Sequence, residues 1–158
     1  MLIEQIVSGD QSGVDRAARD VATVLSIPWG GYSQGDIISQ PHIKRAAVKF
    51  LELRLERRGQ VMEWNVRDSD AVLILIAKWG IGRSTRAIYA QQYAAHYCRP
   101  TLIINVGDYM AIERATAWLL SFRASLTLNV AGPSVSESPG IYEAAFYFLE
   151  ELLERSRP

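Results

Sequence analysis

The chain has 158 residues, 49% of them hydrophobic and 22% charged, with 17 basic residues balancing 17 acidic ones. That length suits one ordinary domain with a substantial core, so a single domain over residues 1–158 is expected. Zero net charge argues against a broad nucleic-acid footprint, and no apolar run reaches the length of a membrane span, so neither partner is expected. Cys98 is the lone cysteine, which excludes an internal disulfide and fits a reducing compartment. Met1 leads into a core-like run with no basic leader, and a cytoplasmic protein is the expectation.

The first element is an apolar run over residues 2–7, read as a buried strand. An amphipathic stretch over 14–25 follows, with Val14, Ala17, Ala18, Val21, Ala22 and Leu25 on one helical face. Between them lies Ser8-Gly9-Asp10-Gln11-Ser12-Gly13. Its two glycines tolerate positive φ and close approach, and the first amides of the following helix lack intrahelical partners. Such a turn suits an oxyanion or phosphate, with Gly9, Asp10, Gln11, Ser12, Gly13, Asp15 and Arg16 as candidate ligand-binding residues. A plain N-cap at Ser12 accounts for the same residues, and neither the dinucleotide glycine pattern nor the Walker motif is present.

Residues 43–58 read as a helix with Ile43, Ala46, Ala47, Phe50 and Leu51 inward and a basic outer face, best taken as a solvated surface. Further strands are expected over 71–77, 101–106 and 125–130, each followed by a helical pattern, over 85–97, 111–122 and 141–154. The run Ala71-Val72-Leu73-Ile74-Leu75-Ile76 has no alternation, as for a strand covered on both faces. Alternating strands and helices define an α/β class: a Rossmann-like, doubly wound, mainly parallel sheet of four to five strands with helices on both faces.

In such a sheet, ligands sit beyond the carboxyl ends of the strands. Lys78-Trp79-Gly80-Ile81-Gly82-Arg83-Ser84-Thr85 leaves one such end, which makes Gly80, Gly82, Arg83, Ser84 and Thr85 candidates, with Ser84 or Thr85 as N-cap. Two glycine turns facing each other would form a paired anion cradle. Asn129, Gly132 and Ser134 leave another strand at the same end. Asn65, Arg67, Asp68 and Asp70 form a polar run at the opposite, amino end of a strand, and are expected to hold a helix-to-strand corner with Arg67 paired to Asp70. His42 and His96 have no partner at ligand spacing, so no protein-held metal is expected. Tyr89, Tyr93 and Tyr97 recur along one helix face, with Ala87, Ala90 and Ala94 as the seam towards the sheet. Part of that tyrosine row is expected outside the chain's own core, at the interface of a homo-oligomer, most simply a two-fold dimer.

Three ordered blocks carry a family resemblance. They are Ser8-Gly9-Asp10-Gln11-Ser12-Gly13-Val14-Asp15-Arg16-Ala17-Ala18, then Glu63-Trp64-Asn65-Val66-Arg67-Asp68-Ser69-Asp70, and last Leu128-Asn129-Val130-Ala131-Gly132-Pro133 with Ser138-Pro139-Gly140-Ile141-Tyr142. The chain resembles the molybdenum carrier proteins, part of a group of nucleotide-handling Rossmann-like domains that includes the lysine-decarboxylase-like phosphoribohydrolases. The resemblance implies a binding protein for a small anionic ligand, the molybdenum cofactor (molybdopterin) or a nucleotide-like metabolite, and self-association. The phosphoribohydrolases carry a catalytic Glu and an Arg at positions that hold Ile88 and Val61 here, which counts against hydrolysis. An enzyme acting on nucleotides or phosphoribosyl metabolites through Asp10 or Asp15 is the alternative. A degenerate assembly domain is a third reading.

Overall fold

The computed structural model describes residues 3–32, 59–77 and 84–158. The elements in chain order are β1 (Ile3–Val7), α1 (Val14–Val24), β2 (Trp29–Gly30), α2 (Gly59–Arg67), β3 (Ala71–Ile76), α3 (Thr85–His96), β4 (Thr101–Asn105), α4 (Ala111–Leu120), β5 (Leu126–Ala131) and α5 (Ile141–Arg155). The five strands form one parallel sheet in the order β2-β1-β5-β3-β4. The α/β, Rossmann-like expectation holds. Two elements escaped the sequence reading: the two-residue edge strand β2 and the helix α2. The helix expected over 43–58 lies outside the described residues.

Every residue of β3 is buried, because its two faces belong to two different cores. Ala71, Leu73 and Leu75 pack with α1, α4 and α5, whereas Val72, Ile74 and Ile76 pack with Val66 of α2 and Ala87, Ala90 and Ala94 of α3. The alanines let α3 approach the sheet closely, as their spacing anticipates. On the other face, α1 presents the stripe Val14, Ala17, Ala18, Val21 and Ala22, all buried.

The last strand occupies the middle of the sheet. β5 pairs with β1 on one side, Leu128 opposite Ile6, and with β3 on the other, Leu128 opposite Ala71. Counting from β5 as the first strand turns the order into 3-2-1-4-5, the doubly wound arrangement cut at a different point in the chain. The order therefore reverses between β5 and β3, and the crevice expected at such a switch point lies over their carboxyl ends.

Glycines make the junctions at that end. Gly13 has φ of 81°, and a Cβ there would lie 2.4 Å from Pro133 O. A Cβ on Gly132 would lie 2.3 Å from Leu75 O. The close approach at these two positions is of the chain to itself: the loop after β5 presses on the start of α1, where the Val14 N–H donates to Pro133 O at 3.2 Å. Gly13→Ala is expected to cost about 3 kcal/mol, combining backbone strain with overpacking. Gly140 has a similar φ of 86° but open space around it, so Gly140→Ala is expected to cost only about 1 kcal/mol. Urea unfolding of both variants measures the difference, and equal losses would show that crowding at Gly13 is relieved by movement of the loop.

Candidate functional site

A crevice of about 260 Å³ opens over the carboxyl ends of β1 and β5. Its floor is Asn129, Val130 and Ala131 of β5. One wall is the loop of Gly9, Asp10 and Gln11 with Asp15 behind it. Thr85, Arg86, Tyr89 and Tyr93 of α3 form a second wall, and Val61, Met62 and Asn65 of α2 close the third. The Tyr89 and Tyr93 rings are 6.3 Å apart and tilted by 34°. Polar groups gather at the strand ends, and apolar and aromatic surface lies towards α2 and α3.

Asp15 organises the polar end. It stands in the first turn of α1 and is 2% exposed. Arg86 Nη2 donates to its Oδ2 at 2.7 Å, and the Gln11 N–H reaches the same oxygen at 3.4 Å. The single hydroxyl hydrogen of Ser8 is shared between Asp15 Oδ1, at 3.2 Å, and Val130 O, at 2.8 Å. Burial pushes the Asp15 carboxyl above its ordinary value of 3.8, against the opposing pull of Arg86, the Gln11 amide and Ser8, while nearby Asp10 raises it further. Gly9 leaves room for this arrangement: a Cβ there would lie 2.7 Å from Asp15 Oδ2.

A second carboxylate, Glu137, sits at the start of α3. The Thr85 N–H donates to its Oε2 at 2.8 Å, the Ser134 N–H donates to Oε1 at 3.2 Å, and Ser84 Oγ lies 3.3 Å from Oε1. Ser84 is the N-cap of α3 and accepts from the Ala87 N–H at 3.0 Å. An acid at this position is favoured by the exposed amides and the dipole of the helix. At both helix starts, therefore, some of the amides meet groups of the chain itself.

The sequence-singled residues are brought together selectively. Gly9, Asp10, Gln11, Asp15, Thr85 and Asn129 line the crevice. Ser12 accepts from the Val135 N–H at 3.1 Å. Gly13, Gly132, Ser84 and Ser134 shape the loops beneath and beside the crevice and are buried. Gly80, Gly82 and Arg83 lie outside the described residues. Arg16 points away: it is an exposed residue that pairs with Asp20, one turn along α1, at 3.4 Å. The charge in the wall is Arg86, which the sequence reading missed. Its position two residues after the Ser84 cap, in the first turn of a helix leaving a strand end, was the available signal.

The expectation for the polar run before β3 needs correction at two points. Asn65 lies in α2 and lines the crevice, because α2 runs over the carboxyl end of the sheet before the chain returns to the amino end. Its Oδ1 accepts from the Tyr32 N–H at 2.7 Å and its Nδ2 donates to Tyr32 O at 3.2 Å, which clamps the segment after β2. Arg67 pairs with Asp68, at 2.9 Å, rather than with Asp70. Asp68 also accepts from the Tyr32 hydroxyl at 2.5 Å; burial first, and then this bond, pushes that phenol upward. Asp70 instead accepts from the Thr127 N–H at 2.8 Å and so pins β3 to β5. The tyrosine row faces its own chain in large part. Tyr89 and Tyr93 line the crevice, and Tyr97 donates to Glu63 of α2 at 2.8 Å.

Among the described residues, no group of three or more His, Cys, Asp and Glu could hold a metal ion, and no helix is long and apolar enough to cross a membrane.

The fold is that of a Rossmann-like α/β domain with a crevice at the carboxyl end of its sheet. A family model described as the circularly permutated YpsA SLOG family matches residues 6–153, and the chain belongs to that family. The strand order of this chain, with β5 in the first-strand position, is itself a permuted one. The chain is also similar to the crystal structure of a putative molybdenum carrier protein from Syntrophus aciditrophicus SB, with 30% identity, a TM-score of 0.69 and 96% of each chain covered. This bears out the resemblance carried by the three sequence blocks. No curated protein matches the chain.

Arg86→Met is expected to leave Asp15 buried without its counter-charge, at a cost of about 3 kcal/mol near pH 7. A carboxyl raised in the folded state opposes folding above pH 3.8, and that penalty fades as the pH falls until both states are protonated. The deficit of the variant should therefore shrink towards pH 4, as read from denaturant unfolding at several pH values. A deficit that is constant with pH would assign the loss to packing alone.

Proposed function

We propose that this chain is a carrier-like binding protein whose crevice holds a planar heterocycle bearing a phosphate or other oxyanion. Molybdopterin or a related nucleotide-like metabolite is the class. The observation that carries this reading is the pairing of an aromatic wall, Tyr89 and Tyr93, with the Arg86 guanidinium in one crevice at the carboxyl end of the sheet. Rings stack on tyrosine faces and oxyanions pair with guanidinium groups. The family membership and the similarity to a putative molybdenum carrier protein support the choice of class.

The volume suits one ring system with a short anionic arm rather than a dinucleotide. Val61 and Met62 offer apolar contact opposite the tyrosines. Gln11, Thr85 and Asn129 supply neutral hydrogen-bonding groups around the ring edge. With no cluster of metal-ligating side chains among the described residues, molybdenum would enter as cargo already bound to its pterin. Hydrolysis is disfavoured by the chemistry of the walls: Val61 stands in the crevice where the resemblance to phosphoribohydrolases calls for an arginine.

Calorimetry with molybdopterin and with a nucleoside monophosphate, set against the neutral nucleoside, tests this reading. The phosphate-bearing compounds are expected to bind at least about tenfold tighter. Tyr93→Ala is expected to weaken them by about tenfold through loss of stacking. Equal affinity for charged and neutral compounds would overturn the proposal.

A further inference from the structure

The Arg86 charge is already engaged by Asp15, and Asp10 adds a second acid to the same wall. A ligand anion entering the crevice therefore meets a neutral ion pair beside a negative charge. Resting on the reading of the crevice as an anion site, we propose that Asp15 is a displaceable counter-ion. The incoming anion takes over the guanidinium of Arg86, and Asp15 takes up one proton from solvent as its ion pair breaks.

The geometry provides for both states. In the free protein the carboxylate has Arg86 at 2.7 Å and the Gln11 amide at 3.4 Å on Oδ2. On the Oδ1 side, Ser8 Oγ lies 3.2 Å away while its only hydrogen has a nearer acceptor, Val130 O at 2.8 Å. A hydroxyl that donates elsewhere still has lone pairs to offer. A proton placed on Asp15 Oδ1 thus finds an acceptor once the shared Ser8 hydrogen turns fully to Val130 O, with no heavy atom needing to move. The surroundings also lower the cost of neutralising the acid. Asp15 is 2% exposed, which favours the uncharged form. Among the described residues, the charged groups facing it are Arg86 from α3 and Asp10 from the loop; α2 contributes neutral Asn65 to the same crevice, its Glu63 and Arg67 being bonded to Tyr97 and Asp68. Arg86 Nε, buried and without a partner among the described residues, shows that one guanidinium donor is unspent in the pairing with Asp15.

The charges balance. One Arg86–Asp15 ion pair breaks, one Arg86–ligand pair forms, and the carboxylate is converted to the neutral acid by one solvent proton. The burial that already raises the Asp15 carboxyl acts in the same direction. Binding then weakens as pH rises, because the proton becomes harder to acquire.

The test uses the intact protein and a nucleoside 3′,5′-cyclic monophosphate, whose phosphodiester keeps one negative charge throughout the working range. Calorimetry in two buffers of different ionisation enthalpy counts the protons exchanged. The expected result is uptake approaching one proton per ligand, with affinity falling by up to about tenfold per pH unit through part of the range from about pH 5 to pH 9. Asp15→Asn should bind with no proton uptake and a flat pH profile. Binding by the wild-type protein with no proton exchange and a flat profile would overturn this inference and leave the proposed function standing. No binding of the cyclic nucleotide, of molybdopterin or of a nucleoside monophosphate would overturn the proposed function and this inference together.

Discussion

A carboxylate removed from water must find its donors inside the protein, and Asp15 draws them from three places in the chain. Ser8 comes from the end of β1, the Gln11 amide from the loop, and Arg86 from α3 on the opposite face of the sheet. The two cores on either side of the sheet are otherwise separate apolar clusters. The ion pair between Asp15 and Arg86 crosses that division at the carboxyl end of the strands. It sets the position of the glycine loop relative to α3, and so the width of the crevice between them. Removing Arg86 leaves Asp15 as a buried charge, whereas removing Asp15 leaves a quarter-exposed guanidinium facing the crevice.

A Rossmann-like fold offers anions the starts of its helices, where free amides and the dipole converge. In this chain Glu137 bonds the Thr85 amide at the start of α3, and the carbonyl of Pro133 meets the Val14 amide at the start of α1. The loop after β5 supplies both groups. Putting β5 in the centre of the sheet carries that loop between the two helix starts, so the permuted order and the altered anion chemistry have one cause. In the proposed function, recognition of a ligand anion falls to a side chain, Arg86, whose charge is held by Asp15 in the free protein.

Much of this was legible in the sequence, and what was missed has a pattern. The continuous apolar run of β3 and the helical stripes of α1, α3 and α5 depend on periodicity alone, and local periodicity is written in the chain. The position of β5 between β1 and β3 depends on pairing between segments far apart, on which periodicity is silent. Gly13 and Gly132 were legible as special positions. That they admit Pro133 and Leu75 of the chain itself, and not a ligand, required the third dimension. Arg86 and Glu137 were passed over because charged residues in a helix and a loop usually face solvent, and only the fold brings them to the strand ends. Asn65 was placed at the wrong end because its helix was not recognised and its distance from β3 in sequence was read as distance in space.

The proposed function places the ligand in a single crevice, walled by Arg86 and the tyrosines of α3 and by the loop that holds Asp10. Amide chemical-shift mapping with a nucleoside monophosphate tests it most directly. The account predicts shifts concentrated at Gly9, Asp10, Gln11, Thr85, Arg86, Tyr89 and Tyr93, with Arg16 and the outer face of α1 unmoved. Shifts centred on Arg16 and Asp20, with the crevice amides silent, would contradict it.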